Sequence, residues 1–379
     1  MKRLLCVVLS FGLLTTSVCA APVPSALDLK AASAVLMEKE TGTILYEQSA
    51  DEKLEPASVT KIMTLLLIFE ALDSGKIKKE DIVTVSAHAA GMGGSQVYLK
   101  EGEQMTVGEL IKCITVVSGN DAAVAMAEHL AGTEGAFAVT MNERAAQLGM
   151  TNTNFVNCTG LPAQGHLTTA RDIALMSREL ILNHPGIREY TTIWMDSIRE
   201  GTFGLTNTNR LIRFYPGATG LKTGSTDGAL YCMSATAERN GMELISVVMK
   251  SPTSAQRFED VKAMLDYGFS SWCLTEAQPE APLPPVEVVL GTVEQVQPQL
   301  SRPARLLIGN GEKDSIRTNA VLVESLEAPV EQGQTVGTLE IFVGEQLRDS
   351  IPIVAAQEVS RLTFSGILGR MLRNLVFVP

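Results

Sequence analysis

The sequence predicts an α/β fold of the α+β kind, in which an antiparallel sheet is covered by helices, followed by a small all-β sandwich domain and a C-terminal amphipathic helix. Strand patterns occur at both ends of the first domain, near residues 33–46 and 221–248, and helical patterns lie between them. A proline-rich stretch at residues 276–285 separates this part from several short, alternating segments. The 379 residues also exceed what one ordinary core accommodates.

Two hairpins supply the strands of the predicted sheet. In the first, apolar runs between Ser33 and Tyr46 flank a turn in which Gly42 takes the position that needs positive φ. In the second, Tyr231–Ala237 and Met242–Met249 are joined across Asn240-Gly241, a dipeptide typical of two-residue hairpin turns. Because the two hairpins lie far apart in sequence, we expect one sheet assembled from both ends of the domain.

The helices of the first domain follow from the spacing of apolar residues. The segment from Ile62 to Leu72 is apolar nearly all round, which predicts a central, buried helix that ends at Asp73-Ser74-Gly75. Further helices are predicted over residues 107–117, 122–130, 136–148, 170–182 and 258–269. The last of these is expected to close the sheet.

The second domain is predicted to follow a linker at residues 276–285, which contains Pro279, Pro282, Pro284 and Pro285. Its strands are expected at residues 286–290, 305–308, 320–324, 338–343 and 350–354, within an all-β domain spanning residues 286–358. These segments contain no evident nucleophile with partners. We therefore expect the second domain to position the first, which spans residues 21–275.

The N-terminus predicts export. Lys2 and Arg3 precede an apolar run from Leu4 to Val18, and Val18-Cys19-Ala20 resembles a small-residue cleavage site. Residues 1–20 are therefore interpreted as a signal peptide, which would bring the protein to the extracytoplasmic side of the membrane. A retained membrane anchor and a lipid attached at Cys19 are the alternatives.

The C-terminal residues 359–379 predict an amphipathic helix at a membrane surface. One face of this helix would carry Phe364, Ile367, Leu368, Met371, Leu372 and Leu375, and the other Gly366, Arg370 and Arg373. Spanning is disfavoured because both arginines would enter the hydrocarbon. The alternative is a helix docked on its own domain or on a partner.

Charge and cysteine content exclude other classes of function. The 31 basic and 42 acidic side chains give a net charge of −11, which disfavours nucleic acid as a partner. Without its first 20 residues the chain keeps Cys113, Cys158, Cys232 and Cys273, and no CxxC pair is present to hold zinc. We expect buried free thiols, no metal and no cofactor.

Three short motifs carry the candidate chemistry. Ser58 and Lys61 are three residues apart at the start of the buried helix, so that the hydroxyl and the amine face the same way. A serine becomes a nucleophile when a nearby base takes its proton, and a lysine whose pKa is lowered can serve as that base. Ser118-Gly119-Asn120 lies between two predicted helices, and Lys222-Thr223-Gly224 begins the second strand region. Each motif alone is an ordinary helix cap or strand edge.

Together and in this order, the motifs match the set found in penicillin-binding proteins and class A β-lactamases. The sequence closely resembles the low-molecular-mass penicillin-binding proteins that act as serine-type D-alanyl-D-alanine carboxypeptidases, and the fold implied is β-lactamase/DD-peptidase-like. The resemblance extends to Glu55-Pro56-Ala57-Ser58, Gly94-Ser95, Asp121-Ala122, Phe155-Val156-Asn157, Gly160-Leu161, Thr168-Thr169-Ala170, Pro216-Gly217 and Arg257-Phe258. It covers about the whole mature chain.

The resemblance implies a catalytic set and a substrate class. Ser58 would attack the carbonyl between the last two D-alanines of a peptidoglycan stem peptide, with Lys61 as base and Ser118 as proton relay. β-Lactam antibiotics would be covalent inhibitors. The substrate-binding residues implied are Asn120, Lys222, Thr223, Gly224, Ser225 and Arg257.

Within this set the resemblance assigns separate tasks. Asn120 would hold the substrate's amide, and the backbone N–H groups of Ser58 and Ser225 would form the oxyanion hole. Thr223 and Arg257 would receive the terminal carboxylate. Two residues depart from the usual family pattern: Ser225 stands where the family often has a larger side chain, and Thr219 where an acidic residue is common.

Two other functions share part of this pattern. A class A β-lactamase would share the motifs but adds a glutamate that activates water, and the acidic residues between Asn120 and Lys222 do not fit that arrangement. A catalytically silent wall-binding protein would keep the fold, but the intact Ser58, Lys61 and Ser118 argue against it.

Overall fold

The computed structural model describes residues 27–368, in which a mixed helical and sheet domain precedes a smaller all-β domain. The predicted signal peptide lies outside the described residues. The first domain contains strands β1 Ser33–Glu38, β2 Ile44–Gln48, β3 Ile82–Thr84, β4 Gln104–Thr106, β5 Met195–Ile198, β6 Phe203–Thr206, β7 Ala218–Thr226, β8 Leu230–Arg239 and β9 Met242–Ser251. Its helices are α1 Lys61–Asp73, α2 Ala87–Ala90, α3 Val107–Val116, α4 Asn120–Ala131, α5 Glu134–Gln147, α6 Ala170–Asn183, α7 Arg188–Thr191, α8 Leu211–Phe214 and α9 Ser254–Ser271.

The central sheet is antiparallel and joins the two ends of the domain, as predicted. Its strand order is β2-β1-β9-β8-β7, so that β7 is an edge strand. Strands β1 and β9 are buried along nearly their whole length because α6 packs on one face of the sheet and α9 on the other. The turn between β8 and β9 has positive φ at both Asn240 and Gly241, which confirms the predicted hairpin.

Helix α1 is the centre of the larger hydrophobic core. Its residues from Lys61 to Phe69 are all buried, and it contacts α3, α4, α5 and α6. A helix with apolar side chains on all sides is stable only when other elements surround it. The prediction of a buried central helix is therefore confirmed. Lys61, the first residue of this helix, lies within the core.

The chain from Trp272 to Ala355 consists mainly of short β-strands, as the sequence predicts for the second domain. It comprises β10 Trp272–Glu276, β11 Val286–Val289, β12 Gln295–Val296, β13 Pro298–Leu300, β14 Arg305–Gly309, β15 Ile316–Leu322, β16 Ser325–Glu327, β17 Thr335–Val343 and β18 Gln346–Ala355. Strand β10 pairs with β14 along its whole length, and Ala277 is buried in the second core. The proline-rich stretch connects β10 to β11.

The described part of the tail also differs from the expected helix over residues 359–379. Val359 is buried and pairs with Val330, and Arg361 pairs with Gly291, so these residues still belong to the β domain. Residues 364–368 are helical, with Phe364 exposed. The remainder of the predicted helix lies outside the described residues. Between residues 27 and 368, no helix combines the length and the apolar character needed to cross a membrane.

The four cysteines of the described chain are free thiols. Cys113, Cys158 and Cys232 are buried, as expected, and Cys273 is half-buried.

Candidate active site

Ser58 lies in a single 3-10 turn, Ala57–Thr60, that leads directly into α1. Ala57 has a φ of +49°, a conformation that side-chain-bearing residues rarely adopt. The backbone at Gly160 presses on this turn so closely that a Cβ there would fall on the carbonyl oxygen of Ala57. The turn that carries Ser58 is therefore fixed by α1, which follows it, and by the backbone at Gly160, which packs against it.

Lys61, the first residue of α1, is fully buried and contacts Ser58 directly. Its Nζ lies 3.0 Å from Ser58 Oγ, 2.6 Å from Asn120 Oδ1 and 2.7 Å from the carbonyl oxygen of Thr159. An ammonium donates to all three oxygens. A neutral amine donates to Asn120 and Thr159 and turns its lone pair to the Ser58 hydroxyl, which then donates to it.

Burial decides which of these two forms is available. It lowers the pKa of Lys61 from 10.5 to about 7, against smaller opposing effects of Cys158 and Asp121. A substantial fraction of Lys61 is consequently neutral near neutral pH. A neutral amine beside the serine hydroxyl is the arrangement that a general base requires.

The second motif supplies an unpaired hydroxyl and a support for the lysine. Ser118 has a φ of +65°, and its Oγ is buried without a hydrogen-bond partner among residues 27–368. Asn120 begins α4 and is buried. Its Oδ1 accepts from Lys61, and its Nδ2 donates to the carbonyl of Gly93 at 2.7 Å. Both ends of the Asn120 amide are thus engaged within the protein.

The third motif approaches the nucleophile from the edge of the sheet. A Cβ on Gly224 would lie 2.8 Å from the backbone nitrogen of Ser58, so only glycine allows β7 to come this close. Lys222 is buried, and its Nζ donates to the carbonyl of Thr223 at 3.0 Å. Burial, together with the charges of Lys61 and Arg257, holds the pKa of Lys222 well below 10.5. The third motif therefore lies against the first.

The remaining predicted residues line or support β7. Ser225 is exposed, and the Thr223 hydroxyl donates to Thr208 Oγ1 at 2.7 Å. Arg257, on α9, donates to the carbonyls of Gly224 at 3.1 Å and of Cys232 at 3.3 Å. Burial lowers the pKa of Arg257 to about 10.

Arg257, Lys61 and Lys222 are all buried, and none of them forms an ion pair within the described part of the chain. Burying a cation without a counter-ion costs free energy, so such groups are retained where they serve a ligand or a reaction. Arg257, whose pKa is about 10, stays charged near neutral pH, whereas burial favours the neutral forms of Lys61 and Lys222. The site thus holds a buried guanidinium in a protein whose net charge is −11. It suits a substrate that carries a carboxylate.

Two contributors to the site are not indicated by the three motifs. One is the backbone carbonyl of Thr159, which accepts from Lys61. The other is His166, whose Nδ1 accepts from the Val156 N–H at 3.1 Å and whose Nε2 therefore donates to Thr60 Oγ1 at 2.8 Å. Burial lowers the pKa of His166 to about 4, so it stays neutral and links the segment around residues 156–166 to the nucleophile turn. The sequence signal was the family-like segment from Phe155 to Leu161.

A group with the spacing of metal ligands lies elsewhere in the described chain. It consists of Glu70, Glu179 and His184. Arg144 already donates to both carboxylates, at 2.6 Å each, and His184 Nδ1 donates to Asp73 at 2.5 Å. The charges of this group are satisfied within the protein, and it contributes nothing to the site around Ser58.

Comparison with known proteins identifies the two domains. The family model of D-alanyl-D-alanine carboxypeptidases matches residues 19–253, and that of the C-terminal domain of penicillin-binding protein 5 matches residues 280–361. The D-alanyl-D-alanine carboxypeptidase DacF of Bacillus subtilis is 43% identical over 90% of this chain and 89% of its own length. DacC of Escherichia coli is 35% identical over 88% of this chain and 85% of its own length.

Solved structures agree with this assignment. Penicillin-binding protein 5 of Haemophilus influenzae superposes with a TM-score of 0.76 at 29% identity, covering 89% of this chain and 99% of that one. Penicillin-binding protein D2 of Listeria monocytogenes, in its ampicillin-bound form, has a TM-score of 0.60 at 34% identity and covers 64% of this chain and 99% of that one. These findings confirm the predicted fold class and favour neither a β-lactamase nor a catalytically silent protein. The chain belongs to the peptidase S11 family of D-alanyl-D-alanine carboxypeptidases, the low-molecular-mass penicillin-binding proteins.

Proposed function

We propose that Ser58, Lys61 and Ser118 are the catalytic residues of a D-Ala-D-Ala carboxypeptidase that trims peptidoglycan stem pentapeptides. The observation that carries this proposal is the contact between a fully buried Lys61 Nζ and Ser58 Oγ at 3.0 Å. A pKa of about 7 makes Lys61 a base suited to neutral pH.

In the proposed acylation, neutral Lys61 takes the proton of the Ser58 hydroxyl while Oγ attacks the carbonyl carbon between the last two D-alanines. The backbone N–H groups of Ser58 and Ser225 stabilise the oxyanion. The C–N bond then breaks, and Ser118, assisted by Lys222, relays the proton that Lys61 took from Ser58 to the departing amine of D-alanine, which leaves Lys61 neutral again. Water hydrolyses the ester on Ser58, which restores the hydroxyl and releases the shortened peptide.

Substrate binding is proposed to follow the free edge of β7. An edge strand offers unpaired backbone groups to an extended peptide, and Gly224 lets that peptide lie beside Ser58. Thr223 and Arg257 receive the terminal carboxylate, because Arg257 is a buried cation without a counter-ion in the described chain. Asn120 contacts the substrate's amide while it also holds Lys61.

A fluorescent penicillin tests the catalytic assignment directly. The wild-type protein should become covalently labelled, and the Ser58→Ala variant should carry no label at an unchanged melting temperature. Mass spectrometry of the labelled peptide should place the adduct on Ser58. Equal labelling of the variant would overturn the proposal.

We further propose that the enzyme is exported and held at the extracytoplasmic face of the membrane by its C-terminal helix. The basic start and apolar run of residues 1–20 support cleavage before Ala21, and the apolar face with Arg370 and Arg373 supports surface binding. A chain that ends at Thr363 keeps Val359 in its β domain and should leave the membrane fraction. A full-length Arg370→Glu, Arg373→Glu variant should leave the membrane fraction already at low salt, because its glutamates are repelled by anionic lipid. Persistent sedimentation of both proteins would contradict the anchor.

A further inference from the structure

Strand β7 contains one extra residue shortly before Lys222. Ala218 pairs with Ala237 and Gly220 pairs with Thr236, so that Thr219 has no backbone pairing partner on β8. Such a bulge bends a strand and changes the direction in which the following side chains point. The position of Lys222 and Gly224 relative to Ser58 therefore depends on how Thr219 is held.

Thr219 is held through both its side chain and its backbone. Its Oγ1 lies 2.7 Å from Glu243 Oε1 and 2.8 Å from Thr236 Oγ1. Because a carboxylate only accepts, the contact with Glu243 uses the single hydroxyl proton of Thr219, which can serve either Glu243 or Thr236 but not both fully. The carbonyl of Thr219 accepts from Thr191 Oγ1 on α7 at 2.5 Å.

Glu243 is a fixed anchor for this chain of bonds. Its side chain is 2% exposed, and its other oxygen accepts from Arg188 at 2.7 Å and lies 3.1 Å from Lys39 Nζ. A buried carboxylate held by two cations does not reorient without breaking charged hydrogen bonds. Arg188 and Thr191 both belong to α7, so this helix secures Glu243 and Thr219 at the same time.

We infer that Glu243 is a positioning residue for the reaction, acting through Thr219 to fix the bulge that aims Lys222 and Gly224 at Ser58. Strand β7 has a sheet neighbour on one side only, so it needs an additional restraint where it bends. The buried charge of Glu243 provides it from two strands away. This inference goes beyond the proposed catalytic roles and rests on them.

The test compares hydroxyl variants at neighbouring positions. Thr219→Val removes the bond to Glu243 and should slow acylation by fluorescent penicillin about 10- to 100-fold, the range expected for a displaced catalytic group. Thr219→Ser keeps the hydroxyl and should restore the rate to within about three-fold of wild type. Thr236→Val removes a neighbouring hydroxyl that is more deeply buried, leaves the Thr219–Glu243 bond intact, and should acylate at the wild-type rate.

A double-variant cycle separates this role from plain stabilisation. If Glu243 acts through Thr219, Glu243→Gln should slow acylation, and the Thr219→Val, Glu243→Gln double variant should be no slower than the slower single variant. Additive losses of acylation rate in the double variant would overturn the inference. So would equal losses of rate in Thr219→Val and Thr236→Val that simply track the drop in melting temperature. The same assay reports whether Ser58 of the wild type is labelled. If it is labelled but the Thr219 and Glu243 variants behave otherwise than expected, the positioning role fails and the catalytic proposal stands.

Discussion

The two domains differ in what they bury. Within residues 27–368, the buried polar and charged side chains all lie between Ser33 and Asp260, and include Lys61, Lys222 and Arg257. The core of the second domain, from Ala277 to Val359, consists of apolar side chains. Burying a charge destabilises the folded state, whereas burying apolar surface stabilises it. The first domain thus carries groups that weaken its core and form its active site, and the second contributes stability without chemistry.

The largest effect is expected from replacing the buried base. Lys61→Met should slow acylation by penicillin by about 10³-fold, because no other side chain forms a hydrogen bond with the Ser58 hydroxyl within residues 27–368. The fold should survive, since an apolar side chain of similar length replaces a buried amine. Stopped-flow or gel-based labelling gives the rate, and circular dichroism gives the fold. Labelling at the wild-type rate would remove Lys61 from the mechanism.

A smaller effect is expected from the buried arginine. Arg257→Met should lower kcat/KM for a D-Ala-D-Ala peptide about 100-fold, since the terminal carboxylate loses its charged partner. A peptide that ends in an amide lacks that carboxylate, so its slow turnover should change little. Release of D-alanine or D-alaninamide measures both reactions. An equal loss for the two peptides would show that Arg257 only supports β7 through Gly224 and Cys232.

The smallest effect on activity is expected from damage to the second core. Ile341 is fully buried in β17, and Ile341→Ala should destabilise that domain by about 2–5 kcal/mol. Acylation at 25 °C should stay at the wild-type rate because no side chain of this domain reaches Ser58 in the described contacts. Urea unfolding and penicillin labelling check the two halves of the prediction. A parallel loss of acylation would show that the domains are coupled.

Local patterns sufficed for much of the fold. The helix that begins at Lys61 was predictable because apolar residues surround it on all sides, and the β8–β9 hairpin because Asn240-Gly241 specifies its turn. The family motifs likewise named Ser58, Lys61 and Lys222, whose side chains carry recognisable chemistry. The roles assigned to the site residues stay predictions.

Other features depend on contacts between distant segments. The carbonyl of Thr159 approaches Lys61 across 98 positions, and a backbone oxygen has no signature in the sequence. Strand β10 looks like the end of the first domain because a proline-rich stretch follows it, yet its hydrogen bonds go to β14. The Thr219–Glu243 bond joins strands that are not neighbours in the sheet, so neither alternation nor turn type indicates it.

The pH dependence of acylation tests the central claim, that burial makes Lys61 the base. Raising the pH converts buried ammonium to neutral amine, and the pKa of Lys61 is about 7. The acylation rate of the wild-type protein should therefore increase from about pH 5, pass half of its maximum near pH 7 and reach a plateau above about pH 8. A rate that is constant over this range, or that increases only toward the ordinary lysine value of 10.5, would contradict the account.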